Sequence, residues 1–231
     1  MIRRAPLLLF RKAVALCVLF LLLAGCGGAA GGEEGTAQLW VTRDRGAELL
    51  VDAKVDAGQT LMRALVSEVD VETRYGGRYV QSVDGIEGSL GEQHDWFWFV
   101  NGYEGDRSAA SYTLRDGDVA WLDYRAWQRE GEARVVVGAF PEPFIHGYEG
   151  KTRVAVVRFE GSRTRATRFA RTVGADSIEP LGTPVPEGAN VLELRDGSNR
   201  ATAELLGETA GDPVRVVVRG NPELTRAYEV P

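Results

Sequence analysis

Between residues 38 and 127 apolar and polar side chains alternate in short runs, the period-two pattern of strands with one buried face. Gln38 to Arg43 and Glu48 to Val55 read as two strands joined by the turn residues Asp44-Arg45-Gly46. Gly58-Gln59-Thr60 then opens a short helix. Leu61, Ala64, Leu65 and Val69 recur at helical spacing, and the Thr60 hydroxyl is placed to cap the first turn. Further strands are predicted at Val71 to Tyr75, Tyr79 to Val83, Asp95 to Val100, Ser111 to Leu114 and Asp118 to Trp127. A hairpin, one helix and then more strands give an α+β pattern, a sheet with its helix on one face.

The pattern changes near residue 128. All five tryptophans precede it, and the polar stretch QREGEA (128–133) separates two regions, 37–128 and 133–231. In the second, Arg134 to Ala139, Thr152 to Glu160, Asn190 to Arg195 and Pro213 to Arg219 read as strands. Thr164 to Val173 reads as a helix with Ala166, Phe169, Ala170 and Val173 on one side, so a small α/β domain is expected.

The first 36 residues follow neither pattern. Arg3, Arg4, Arg11 and Lys12 precede an uncharged apolar run from Ala13 to Gly25, too short to span a bilayer comfortably, since a spanning helix needs about 20 apolar residues. The run ends in Leu23-Ala24-Gly25-Cys26, which resembles the lipobox of bacterial lipoproteins, where a small residue precedes a Cys whose thiol receives diacylglycerol. Residues 1–25 are therefore expected to be a lipoprotein signal peptide. Cys26 is expected to be the lipidated first residue, and 26–36, which contains GGAAGGEEG, a flexible Gly-rich tether. The expected location is the extracytoplasmic face of a bacterial cell membrane, attached through the N-terminal lipid.

Loss of the signal would change the formal charge from −6 to −10, 23 Lys and Arg against 33 Asp and Glu. Such a surface repels nucleic acid, which is not an expected partner, and anionic headgroups, so attachment rests on acyl chains. Cys17 leaves with the signal and Cys26 is blocked, so no disulfide supports the folded part.

Four pieces in order, AGQTLMRAL, GGRYVQSVDGI, DWFWFVNG and YTLRDGDVAWLDYRAW, resemble a bacterial family of unknown function (DUF4430-like) related to the C-terminal domain of transcobalamin and intrinsic factor. The resemblance covers residues 38 to 127. That family is similar to β-grasp domains, so it implies a mixed sheet curled around one helix. Its transcobalamin-type relatives carry a corrinoid between this domain and a separate helical domain. This chain lacks the helical part, so the resemblance brings a corrinoid forward as a candidate ligand with half of its cradle missing, and a membrane importer or another envelope protein as the partner that would supply the rest. Residues 152–182 with ANVLEL are similar to the C-terminal domain attached to LytR-type cell-envelope proteins.

Catalytic chemistry finds little support. His94 and His146 lack metal-ligand spacing, no nucleophile elbow or phosphate-cradling loop is present, and Asp116, Asp118 and Asp123 lack the register of a calcium loop. No catalytic residue, resident cofactor or metal is expected; a hydrolase using His94 and Asp95 is the weakest alternative.

The binding signal is aromatic. In Trp96-Phe97-Trp98-Phe99 the tryptophans face one side of a strand and the phenylalanines the other, and Trp121, Asp123, Arg125 and Trp127 share a side of the last strand. With Asn101 and Tyr103 at its lip, a surface of Trp96, Trp98, Trp121 and Trp127 suits a flat amphipathic ligand. The expectation is a tethered, non-enzymatic binding module for a small ligand, with a corrinoid for uptake as the candidate. The alternative is a structural or adaptor envelope lipoprotein that binds proteins or cell-wall glycan.

Overall fold

The computed structural model describes residues 35–127 and 133–229. The expected signal (1–25), Cys26, most of the tether and the separating stretch 128–132 lie outside the described residues.

Strand β1 (Thr36–Arg43) pairs antiparallel with β2 (Glu48–Asp56). The turn between them holds Asp44, Arg45 and Gly46 at positive φ. Gly46 is required there, because a Cβ would come within 2.4 Å of the Arg226 carbonyl oxygen. Helix α1 (Leu61–Glu68) follows. The Thr60 hydroxyl accepts from the Arg63 N–H at 3.3 Å, as expected of a capping threonine, and Leu61, Met62, Ala64 and Leu65 form the buried side.

Strands β3 (Val71–Arg74), β4 (Tyr79–Val83) and β5 (Ile86–Glu87) make a small antiparallel sheet of their own. Strands β6 (His94–Val100) and β7 (Tyr103–Glu104) and the final strand β8 (Val119–Ala126) rejoin the first sheet, whose order is β2-β1-β8-β6-β7. Within it β1 and β8 are parallel and the other pairs antiparallel. This is the α+β, β-grasp-like mixed sheet with one helix that the resemblance implied.

The second region is a five-stranded sheet with one helix. Strand β9 (Ala155–Phe159) leads into α2 (Arg163–Val173), which is capped at its start by the Ser162 hydroxyl and ended by Gly174 at φ 62°. Then come β10 (Ser177–Pro180), β11 (Asn190–Arg195), β12 (Arg200–Leu205) and β13 (Val214–Arg219). The order is β10-β9-β11-β13-β12, parallel except for the β12–β13 pair. Ala166, Ala170 and Val173 pack α2 on the face that carries Val157, Leu192 and Leu194.

Two expected strands are absent. Ser111 to Leu114 follows a single 3-10 turn (Ala109–Ser111), and its backbone bonds to the loop before α1: Leu61 N–H donates to Tyr112 O and Leu114 N–H to Gln59 O. Tyr112 and Leu114 point inward, which gave the segment its strand-like alternation. Arg134 to Ala139 is also not a strand. It makes one bridge, Val135 to Tyr103, and a 3-10 turn at Val137–Ala139. Every residue from Val135 to Ala139 is buried, because the segment runs between the two regions: Val136 packs with Phe99 and Trp121, while Val137 joins the main core. That core holds side chains of both regions, from Leu39 and Leu65 to Leu192 and Val216.

Candidate functional site

Successive β6 side chains leave the first sheet on opposite sides, and the two sides end differently. On one, Phe99 and Trp121 sit with Val136 and Tyr228 in a closed cluster. Trp121 is fully buried, its ring 5.2 Å from that of Tyr228 and 5.8 Å from that of Phe99. Its indole N–H donates to the Thr42 hydroxyl (2.7 Å), which donates to Asp123 (2.5 Å), and Asp123 also accepts from the Tyr228 hydroxyl (2.8 Å). Expectation and structure part here. Trp121 is no ligand platform, because the C-terminal segment of the chain lies on it.

Asn101 and Tyr103 are corrected in the same way. Asn101 (φ 51°) and Gly102 (φ 82°) form the two-residue turn between β6 and β7, the Asn-Gly pairing such hairpins favour. The Asn101 amide is wholly buried: it donates to Asp118 and to the Gly147 carbonyl, both at 2.7 Å, and accepts from the Val119 N–H at 2.8 Å. Tyr103 is 1% exposed, donates to the Asp212 carbonyl, and has its phenol pKa pushed up by burial. Neither residue forms a lip; both join the first region to the second.

The other side stays open at its edge. Strand β6 runs beside β4 without joining its sheet, and between them lies a groove of about 200 Å³. Its walls are Arg78, Tyr79 and Val80 on one side, Trp96, Phe97 and Trp98 on the other, and the loop from Gly105 to Ala109 at one end. A larger hollow of about 270 Å³, lined by Val137, Arg200, Leu224 and Glu229 among others, has no aromatic ring in its wall.

The ring surfaces in the groove are held firmly. Trp96 is nearly buried and donates its indole N–H to the Ile86 carbonyl at 2.9 Å; half-buried Trp98 donates to the Arg107 carbonyl at 3.1 Å. With both indole N–H groups engaged, these residues offer a ligand ring surface and no donor. Gly105 lies flat against Trp98, where a Cβ would come within 1.9 Å of the indole. The Phe97 ring leaves β6 on the closed side, where it packs against the Phe99–Trp121 cluster and carries the Arg125 guanidinium at 4.1 Å.

Polar groups sit at the rim. The Tyr79 hydroxyl donates to the Asp95 carboxylate, and burial together with that carboxylate pushes the phenol up to about 12. Arg107 is engaged by Asp106 (2.8 Å) and Glu149 (2.7 Å). Arg78 is exposed and has no carboxylate partner among the described residues. Arg78, Tyr79, Gly105 and Arg107 were not anticipated as site residues, although Arg78 and Tyr79 lie within GGRYVQSVDGI. Nothing in that piece shows that β4 will lie beside β6.

Trp127, just past β8, is half-exposed and is not among the groove's lining residues. His94 and Asp95 do not bond to each other: the His94 ring nitrogen meets the Glu92 carbonyl at 2.8 Å, while Asp95 accepts from Tyr79 and the Trp96 N–H. Among the described residues no group of three or more His, Asp or Glu side chains is arranged to hold a metal ion.

Residues 58–126 match the model of a domain of unknown function (DUF4430), within the stretch that resembles that family. No curated protein matches the chain. Among solved structures, a candidate metal binding protein from Ruminococcus gnavus ATCC 29149 is 23% identical, with a TM-score of 0.35 over 41% of this chain and 100% of that one. Haptocorrin in complex with Cbi is 16% identical, with a TM-score of 0.36 over 42% of this chain, which spans 26% of haptocorrin.

Proposed function

We propose that this protein is a non-enzymatic binding module held outside the cytoplasm through a lipid on Cys26, and that the groove between β4 and β6 takes the edge of a flat, amphipathic ligand. The observation that carries the reading is an open groove walled by the rings of Trp96 and Trp98 on a sheet whose opposite aromatic side is closed. Such a wall selects by ring contact, and exposed Arg78 at the rim favours a ligand with an anionic or strongly polar periphery.

Size limits what the groove does. Small-molecule pockets that enclose their ligand measure about 300 to 1,000 Å³, so about 200 Å³ holds one edge. A corrinoid, the ligand class the family resemblance brings to the test, would be gripped along its rim and would need a second wall from a partner such as an importer.

The test is a titration of the protein with cobalamin and with cobinamide, read by tryptophan fluorescence. Saturable quenching is expected, and Trp98→Ala should weaken it about tenfold, the equivalent of about 1.4 kcal/mol of ring contact. No saturable change with either compound, or unchanged affinity in the variant, would remove the ligand reading. Mass spectrometry of the protein from its native membrane tests the tether separately: diacylglycerol on Cys26 supports it, and a free thiol or an intact leader overturns it.

A further inference from the structure

The two regions differ in charge as much as in aromatic content. Residues 35–127 hold nine Lys and Arg against sixteen Asp and Glu, whereas residues 133–229 hold thirteen of each. The cations of the second region are not evenly spread. In the register of its sheet, Arg195 at the end of β11 is the direct neighbour of Arg219 at the end of β13, and Arg219 is the direct neighbour of Arg200 at the start of β12. Residues paired across strands project to the same side of a sheet, so three guanidinium groups stand in one row on the face opposite α2.

Like charges placed directly opposite one another repel, and the row is only partly compensated. Arg195 reaches Glu193 at 2.6 Å and Arg200 reaches Glu229 at 2.6 Å. Arg219, in the middle, is exposed and has no carboxylate partner among the described residues. Further in on the same face, Arg215 pairs with Glu204 directly opposite it and with Glu193 one row nearer the end, an alternating ion-pair chain, as a self-neutralising sheet surface would be. The outermost row breaks that alternation.

We propose that this row is a docking surface for a linear phosphate-bearing polymer. Arg forks suit phosphate oxygens, and five donors each leave Arg195 and Arg200 with hydrogen-bonding capacity beyond their single carboxylates. Adjacent strands lie about 4.8 Å apart, so the row runs roughly 10 Å from end to end, more than one isolated anion covers. The unpartnered Arg219 projects from the face of β13, a strand paired on both sides, so no free main-chain groups stand beside it. A partner there is read by charge alone, which favours a chain carrying a charge in every backbone repeat over an acidic peptide. None of the exposed large apolar side chains belongs to the row, which disfavours a bilayer surface.

Anisotropy of labelled inorganic polyphosphate, titrated with the full-length protein in detergent, tests the proposal. Binding is expected to be saturable and to weaken with salt, with a log–log slope of about −2 for three contacts, as for single-stranded phosphate chains. Arg219→Gln should weaken binding three- to tenfold and flatten the slope by about 0.7. The combined Arg195→Gln, Arg219→Gln and Arg200→Gln variant should abolish it, and Arg171→Gln, on the far side of α2, should leave it unchanged. Circular dichroism establishes that each variant is folded, and the single Arg219→Gln change, at an exposed site, carries the test if the triple variant does not fold. Equal binding by the triple variant or by Arg219→Gln, loss of binding in Arg171→Gln, competition by monomeric phosphate at equal affinity, or binding to anionic lipid vesicles in preference to the polymer would each overturn the proposal.

Discussion

Phe99 and Trp98 are consecutive residues of one strand with opposite fates. Phe99 lies with Trp121 under Val136 and Tyr228, and no part of it is exposed. Trp98 borders a groove and is half-buried. Composition does not separate them, since both sides of the sheet carry large aromatics. What separates them is where the rest of the chain goes: the segment after the first region and the C-terminal segment both cross one side of the sheet, and neither reaches the β4–β6 edge. An aromatic sheet face is thus a binding surface or a core according to covering elements from elsewhere in the sequence, the C-terminal one 105 positions from the Asp123 it bonds.

The closed side should be the more sensitive to substitution. Tyr228→Ala removes a buried ring from Trp121 and Phe99 and takes a donor from buried Asp123, at a cost of about 3–5 kcal/mol in urea unfolding. Trp121 emission should shift to the red in the folded variant. A loss below about 1 kcal/mol would mean that the C-terminal segment is not the cover described above.

At the open side, Gly105→Ala drives a methyl into the Trp98 indole and should cost about 1–3 kcal/mol. The groove would also change shape, so an altered near-ultraviolet tryptophan signal is expected alongside. If both stability and signal stay at wild-type values, Gly105 does not hold that ring in place.

The joint between the regions should respond to pH. Burial raises the pKa values of Glu142 and of Asp118 above the ordinary carboxylate range, even though Glu142 accepts from both the His146 N–H and its ring nitrogen. A carboxyl with a raised pKa binds its proton more tightly in the folded state. Its burial cost is therefore present in full above the folded pKa and is relieved as pH falls toward the unfolded value near 4. Stability measured by thermal melts should rise as pH is lowered from neutral toward the unfolded carboxylate value, and Glu142→Gln should make that rise smaller. Asp106 and Asp212 act in the opposite sense and further down. Arg107 holds the first below the usual range and the backbone N–H of Thr209 the second, so their contribution is lost as pH falls below about 4. A stability that falls steadily from pH 7 would contradict the assignment.

The smallest effect is expected at Arg78. It is exposed and without a carboxylate partner among the described residues, so Arg78→Gln should change unfolding free energy by less than about 0.5 kcal/mol. A larger loss would make Arg78 part of the scaffold rather than of the rim.

Much of the fold was legible because local rules and burial agree. The β1–β2 hairpin, Thr60 at the start of α1, strands β4 and β11, and helix α2 all fall within two residues of expectation. The failures share a cause. Tyr112 and Leu114 alternate like a strand but bond to a loop, and Val135 to Ala139 is apolar at every position because it is buried between two regions. Strands β10 and β12 were missed: both are edge strands, one ending in Pro180 and the other reading RATAEL, with little apolar pattern.

The site divides along the same line. Alternation within β6 brought out Trp96 and Trp98, which line the groove. It could not reveal that Gly147, Asp212 and Tyr228 cover Asn101, Tyr103 and Trp121, since those contacts are long-range and leave no local signal.

Hydrogen–deuterium exchange, with and without saturating cobinamide, tests the contrast between the two sides most directly. The predicted result is protection confined to residues 78–80, 96–98 and 105–109, with no change at 121–125 or 226–228. Protection centred on Trp121 and the C-terminal segment, or none anywhere while cobinamide is bound, would contradict the account.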